Sequence, residues 1–420
     1  MNPTQPPKAE RVVFRNVSVF DGSGSPPFAA EVLVEGNTIA ELSRNGALAG
    51  TDARIIDGRG AVLMPGLIDI HTHLALGSTV EQINRPGDRS DAETALLVAH
   101  CGRVMIDHGY TGAYSGGSGS PQAEVAAKKA FDAGWVAGPR LRTSSFERVP
   151  GGPMGLATRF GGYQARGSHP DEVVAFVREM REAGVDAVKF LLNGVSAFDA
   201  RSNLGEQFYD EEIEAGSRVA HELGLSLTAH CYTPHSIQLA LRCGFNLLYH
   251  LGWADEASLD AVEARKKEIF VGPSVGIAEA DLVRGPRFGI MASPEGRAEQ
   301  AEGVERIKRV GSELRKRGIR SIPGGDYGFP WNPVGMNARD LELFVEWFGY
   351  TPAETLHAAT AVAGEAMGMP GTLGVVRPGA LADLLLVDGD PTKDISLLRD
   401  RQRLLAIMKD GRFHKAPAAR

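Results

Sequence analysis

Between residues 65 and 370, short apolar segments of strand length alternate with longer segments of helical period, and this alternation constrains the chain more than any other feature. The apolar segments end near His71, Tyr114, Ser144, Lys189, His230, His250, Ser274 and Asp326. Eight strand ends over roughly 260 residues predict an α/β fold, a (β/α)8 TIM barrel. Between them, DEVVAFVREMREAG (171–184), DEEIEAGSRVAHELG (210–224) and RAEQAEGVERIKRVGSELRKRG (297–318) carry helical periodicity. Each closes on a glycine, the residue that most easily takes the left-handed conformation of a helix stop.

Both chain ends read differently. RVVFRNVSVFDGSGSPP, EVLVEGNTIAEL and ARIIDGRGAVLMPG alternate apolar and polar residues between turn clusters, as antiparallel strands do. LADLLLV (381–387) and LLAIM (404–408) repeat the pattern near the C-terminus. The expected organisation is a small β-sandwich formed by both termini (1–64 and 371–420) around a barrel of residues 65–370. Lys+Arg at 45 against Asp+Glu at 52 leaves a net charge of −7, so no broad basic surface is expected and nucleic acid is excluded as a partner. No run of about 18 apolar residues predicts a membrane span, and residues 1–8 lack the pattern of a signal peptide. The three cysteines, Cys101, Cys231 and Cys243, are too few and too irregularly spaced for a disulfide framework or a thiolate zinc site, which fits a reducing cytoplasm.

In a (β/α)8 barrel the C-terminal strand ends share one face, so chemistry-bearing residues placed there converge. PGLIDIHTH (65–73) sets His71 and His73 at i and i+2 on one strand, pointing to the same side and able to reach one metal ion. Lys189 sits in VDAVKFLL, where a buried ammonium is costly. It either snorkels out at the strand end or has added carbon dioxide to become an anionic carbamate bridging two cations. His230 ends LSLTAH and His250 ends NLLYH, each on a short apolar strand. Asp326 in IPGGDYG supplies a carboxylate on the eighth strand, able to hold a metal-bound water and move its proton.

HxH on strand one, Lys on strand four, His on strands five and six and Asp on strand eight together resemble the amidohydrolase superfamily, over the whole chain. PGLIDIHTHL, DAVKFLLNG, LTAHCYTP and GGDYG, with His230 lying 41 residues after Lys189 and His250 20 further on, are similar to its Xaa-Pro dipeptidase/imidazolonepropionase-like branch. That resemblance implies two divalent metal ions, zinc by default, bridged by N6-carboxylated Lys189 and a hydroxide. His71, His73 and Asp326 would hold the more buried ion, and His230 and His250 the more exposed one. Asp326 would deprotonate the attacking water and then protonate the leaving amine. The implied activity is hydrolysis of an amide-type C–N bond in an aromatic amide, a urea derivative, or an N-acyl amino acid or dipeptide. A homo-oligomer acting on a small molecule is implied as well.

Tyr232 matches a tyrosine that in similar enzymes points its hydroxyl at substrate, as an oxyanion donor or as packing under a loop. Tyr327, Phe329 and Trp331 suggest an aromatic substrate wall or a small core that anchors their loop. Asn193 is a further candidate substrate contact, with an Asn-Gly turn as the simpler account. Two stretches depart from the branch. GYTGAYSGG (109–117) lacks the arginine of a Thr-Val-Arg-Asp run, and PGGPMG (150–155) has proline where relatives carry Gly-Gly-His. Alternative activities are opening of a cyclic amide, or deamination with a single metal. Thr233 stands where deaminase relatives place a glutamate, which disfavours the second. A catalytically dead scaffold is disfavoured because no ligand is lost.

Overall fold

The structure is a computed structural model and describes residues 11–44, 48, 52–83, 89–150, 152–153, 169–194 and 204–417. Residues 1–8, and Met154 and Gly155 of the loop after the third strand, lie outside the described residues. The chain forms two compact units, one from residues 1–68, 106–111 and 351–420, the other from 69–105 and 112–350.

The first unit begins with β1 (Arg11–Val19), β2 (Phe28–Glu35), β3 (Thr38–Ser43), β4 (Arg54–Asp57) and β5 (Val62–Pro65). β1 pairs antiparallel with β2, and β2 with β3. The expectation of purely antiparallel strands fails at β4 and β5, which both run parallel to β1. A bulge between Phe14 and Val17, with Asn16 at φ 53°, splits β1 so that its first half pairs with β4 and its second with β5. The alternation read from the sequence gives this sheet two buried faces. Val12, Phe14, Val32 and Val34 enter one core, and Val13 and Leu33 pack with Leu48 on the other side.

The second unit carries the strand–helix alternation. It opens on β6 (Leu67–Thr72), β7 (Tyr110–Ser115), β8 (Arg140–Arg142), β9 (Ser144–Val149) and β10 (Gly152–Pro153). β11 (Ala187–Leu191), β12 (Ser226–Cys231), β13 (Leu247–His250) and β14 (Phe270–Gly272) follow. The remaining strands, β15 (Leu384–Val387), β16 (Leu404–Lys409) and β17 (Arg412–Lys415), return to the first unit, whose sheet runs β17-β16-β15-β5-β1-β2-β3. Strands from both termini therefore share one hydrogen-bonded sheet.

In the second unit β6-β7-β8 form one sheet and β10-β9-β11-β12-β13-β14 another, parallel throughout except for the β9–β10 turn. Isolated parallel bridges link Val271 to Ser321 and Thr72 to Tyr327. The third strand does not end at Ser144 as the sequence reading has it. It breaks at Thr143, whose carbonyl accepts the amides of Asp186 and Ala187, and resumes to Val149.

Helices Pro170–Ala183, Asp210–Glu222 and Pro294–Lys316 follow the periodicity, with Gly184, Gly224 and Gly318 just beyond them at φ 83°, 70° and 65°. Val173, Phe176 and Val177 of the first of these helices and Ile213 of the second meet Val188, Phe190, Leu227, Ala229, Cys231 and Leu248 in one core cluster. Each such large side chain contributes about 1.5–3 kcal/mol by burial. Because strand side chains alternate, committing Val188 and Phe190 to the helices turns Lys189 the other way. The same logic on β12 turns Thr228 and His230 away from Leu227 and Ala229.

Candidate metal centre

All six predicted ligands lie in the second unit and all but Asp326 are fully or nearly fully buried. One nitrogen of His71, one of His73 and one carboxylate oxygen of Asp326 lie within 4.8 Å of one another. His73 Nε2 is 2.9 Å from Asp326 Oδ1, and His71 Nε2 is 3.6 Å from the same oxygen. Backbone pairing holds the two strand ends together, since the Asp326 amide donates to the His71 carbonyl and the His73 amide to that of Tyr327.

The far sides of the rings decide what these nitrogens can do. His73 Nδ1 lies 3.0 Å from the Gly117 carbonyl, an acceptor only, so in the neutral ring Nδ1 carries the proton and Nε2 a lone pair. The Ser274 hydroxyl donates to the Gly272 carbonyl at 3.1 Å, so it accepts from His71 Nδ1 at 2.8 Å and leaves a lone pair on His71 Nε2, which Lys189 Nζ faces at 3.4 Å. Asp326 Oδ1 has no hydrogen-bond donor although a nitrogen stands 2.9 Å away. Lone pairs facing one another in a buried site repel unless a cation stands between them, so these residues fit a divalent metal.

His230 and His250 form a second pair, with ring centroids 4.3 Å apart. The Nε2 atoms of both are buried without a hydrogen-bond partner. Burial pushes His230 down to about 3 and His71 and His250 well below the ordinary histidine value, so the rings are neutral near pH 7, as metal ligation requires. Lys189 lies among them, fully buried. Its Nζ donates to the Gly116 carbonyl at 2.8 Å, sits 3.4 Å from His71 Nε2 and lies 4.2 Å from the Tyr249 ring centre. Burial lowers its amine below the usual lysine value, opposed chiefly by Glu147, its register partner on β9.

Backbone conformation aims several of these groups. His250, Ser274 and Asp326 stand at φ 78°, 53° and 60°, where non-glycine residues are disfavoured by about 1–3 kcal/mol. Strict alternation would send His250 to the same side as Leu248, toward the helices. The left-handed backbone at His250 and Leu251 brings its ring to 5.5 Å from that of His71 instead. Gly116 packs directly on the site, because a Cβ there would lie 2.3 Å from His71 Cδ2 and 2.8 Å from His73 Nε2.

Buried carboxyls support the site from behind. Asp69 accepts the His71 amide and the Asn337 side chain, at 2.8 and 2.7 Å. Asp340 accepts the Gly324 amide and the Tyr327 hydroxyl, at 2.9 and 3.1 Å. Glu124 accepts from Ser115 and the Ser144 amide. Desolvation pushes these three carboxyls up to about 8, 7 and 7. The sequence reading missed them, and Ser274's contact with His71, because nothing local marks which carboxylates and hydroxyls fold inward.

The proposed substrate contacts divide. Tyr232 stacks on His250, with ring centres 4.7 Å apart and planes 15° from parallel. Phe329 meets His73 edge-on at 6.0 Å. Trp331 joins Ala280, Ile290 and Met291 in a small core and donates to Asp281 at 2.7 Å, so it anchors its loop. Tyr327 is fully buried with its hydroxyl on Asp340. Asn193 is fully buried too, and its Oδ1 accepts from the Tyr232 amide at 2.6 Å and from Ser236 at 2.7 Å. Asn193 and Tyr327 thus hold hydrogen bonds within the turns that carry Tyr232 and Asp326. Thr233, the position where a deaminase would need its glutamate, caps the helix Pro234–Arg242 by accepting from the Ser236 amide.

This fold and centre define a hydrolase of carbon–nitrogen bonds. The sequence profile of the Amidohydrolase family matches residues 62–413, and the chain belongs to that family. It is 25% identical to ochratoxinase of Aspergillus niger over 95% of this chain and 85% of that one. It is 27% identical to imidazolonepropionase of Ectopseudomonas mendocina over 92% of this chain and 93% of that one. A solved prolidase complexed with N-methylphosphonate-L-proline superposes with a TM-score of 0.83 at 26% identity, over 97% of this chain and 100% of that one. Such neighbours are of the TIM-barrel type, and the family generally uses divalent metals. Among the described residues, no helix is long and apolar enough to cross a membrane.

Proposed function

We propose that this chain is a binuclear metal-dependent amidohydrolase that cleaves an amide-type C–N bond in an aromatic amide, a urea derivative, or an N-acyl amino acid or dipeptide. The observation that carries the reading is the set of buried ligand atoms on His71, His73, Asp326, His230 and His250 gathered around Lys189, of which His230 Nε2, His250 Nε2 and Asp326 Oδ1 have no hydrogen-bond partner. His71, His73 and Asp326 would hold one ion, His230 and His250 the other. The second pair offers only two ligands, and carboxylation of Lys189 would supply the third to both sites. Neutral imidazoles and carboxylates suit zinc. When bound, the two ions would polarise the scissile carbonyl and make water a nucleophile near neutral pH.

The protein groups perform the rest. Asp326, the most accessible of the six with its side chain 15% exposed, takes the proton of the attacking water and returns it to the leaving amine. Tyr232, held flat against His250, directs its hydroxyl to the substrate carbonyl oxygen. Phe329 shields one side of the reacting centre beside His73. We further read residues 65–370 as a closed barrel, and residues 1–64 with 371–420 as a small β-sandwich. The stretch around 320–327 serves as the eighth strand, which its bridges to Val271 and Thr72 support.

Metal content per chain, on protein purified with bicarbonate present, tests the reading alongside a screen of aryl amides, ureas and N-acyl amino acids. About two metals per chain with amide turnover is the expected result. One metal per chain with ring deamination or cyclic-amide opening would replace it, and no metal with no turnover would point to a scaffold.

A further inference from the structure

Tyr249 is fully buried among the candidate ligands and has no part in the chemistry proposed above. Strand alternation puts it on the face of β13 opposite Leu248, which packs toward the helices. From there its ring crosses to β6. It stacks on the His71 imidazole, with ring centres 3.8 Å apart and planes 21° from parallel, and its hydroxyl donates to the carbonyl of Ile70, the residue before His71, at 2.8 Å. Lys189 Nζ lies 4.2 Å from the centre of the same ring. Gly272, the register partner of Tyr249 on β14, makes room for it, since a Cβ there would stand 2.9 Å from Tyr249 Cδ1. The Gly272 carbonyl in turn accepts from the Ser274 hydroxyl, which accepts from His71 Nδ1. These contacts close a circuit from Tyr249 through Gly272, Ser274 and His71 back to Tyr249.

A hydrogen bond at Nδ1 holds one atom of the imidazole, while coupled rotation about the two side-chain torsions can still swing Nε2. A flat ring packed on the face of His71 blocks that swing. We infer that Tyr249 is a positioning residue that holds the His71 imidazole in the plane where its Nε2 can ligate a metal ion. This rests on the metal centre proposed above and deepens it. The hydroxyl contributes by anchoring the ring to the strand that carries His71, so platform and imidazole keep one frame. Lys189 Nζ and His71 Nε2, 3.4 Å apart, both lie against this ring, which therefore also sets the spacing between His71 on β6 and Lys189 on β11. Tyr232 stacks on His250 in a comparable way but borders a cavity. Tyr249 is closed off and its hydroxyl is committed to Ile70, so it acts through the protein's own groups and not by touching substrate.

Zinc titration of the metal-free protein against a chromophoric chelator gives the dissociation constant of the first ion, and the visible absorption of cobalt-loaded protein reports ligand geometry. Tyr249→Leu removes the stack and is expected to weaken binding of the first zinc ion about 10- to 100-fold and to change the cobalt spectrum. Tyr249→Phe keeps the stack and should restore most of that affinity. Phe245→Leu is the control for lost packing, because Phe245 lies against Phe190 in the core on the helix side of the sheet. It should lower the thermal midpoint and leave zinc affinity unchanged. Zinc binding by Tyr249→Leu as tight as by wild type, or an equal loss in Phe245→Leu, overturns the inference. Should Tyr249→Leu fail to fold, ring-nitrogen NMR spectra of metal-free wild type decide it: a single, slowly exchanging Nδ1–H tautomer at His71 is expected, and an averaged ring signal overturns it. Wild type that binds no zinc would overturn the metal centre and this inference with it. The expected affinities without turnover of any amide would overturn the hydrolase reading alone.

Discussion

Replacing Gly116 by alanine puts the proposed centre under a one-atom test. The added Cβ would stand 2.3 Å from His71 Cδ2 and 2.8 Å from His73 Nε2, about 1 Å short of ordinary contact at the nearer atom. Gly116 does not sit at positive φ, so alanine carries no backbone penalty there and the effect is steric. Retreat of the backbone is opposed from both sides, because the Gly116 amide donates to the Thr72 carbonyl at 2.9 Å and its own carbonyl accepts Lys189 Nζ at 2.8 Å. The histidine rings must therefore move. Overpacking of this kind costs about 1–3 kcal/mol of stability. A ligand displaced by about 1 Å is expected to lower turnover on the order of 100-fold. Gly119→Ala is the control, since its Cβ would meet only Ala75 Cβ, at 3.9 Å. Metal content, thermal midpoint and kcat/KM are measured for both variants. Full metal occupancy and near-wild-type kcat/KM in Gly116→Ala would refute the placement of the two histidines around one ion.

Lys189→Ala should leave the His230/His250 pair without its third ligand, halving metal content and removing most activity, with partial rescue by a short carboxylic acid; full occupancy and full rate would exclude the carbamate. Asp326→Asn should keep the fold, as judged by circular dichroism, and reduce kcat by about 100- to 10,000-fold, whereas a near-normal rate would move proton transfer to another group. Glu124 is raised from 4.5 to about 7 in the folded protein, so between those pH values the folded chain holds a proton that the unfolded chain has lost. Its contribution to stability is intact below about pH 4.5 and is lost as pH rises toward 7, by about 3 kcal/mol in all. Glu124→Gln should therefore remove part of the decline in urea-unfolding free energy between pH 5 and pH 8, and an unchanged decline would contradict the assignment.

Much of the site was legible in one dimension because the chain codes it through two periodicities. An apolar run such as Ala187–Leu191 predicts a strand buried on both faces, and alternation by itself then sets Val188 and Phe190 on the opposite face from Lys189. The same argument turns His230 away from the helices, and i, i+2 spacing pairs His71 with His73. It stops working where the backbone leaves the strand. His250, Ser274 and Asp326 take left-handed conformations that their own sequence disfavours, so strand alternation misdirects or says nothing about their side chains. Asn193 and Tyr327 are a related case. Their residue types suit a substrate pocket, but hydrogen bonds to Tyr232, Ser236 and Asp340 turn them inward.

Sequence alone determined the alternating strand–helix pattern, the helix stops at Gly184, Gly224 and Gly318, and the residue types available to bind a metal, since each depends on local propensity and periodicity. Only the tertiary structure decided which lone pairs face one another and which buried carboxyls stand behind them. It also decided that the Tyr249 ring lies flat on that of His71, a residue of a distant strand. Those facts depend on contacts between distant segments, and on left-handed turns held in place by packing against their local preference.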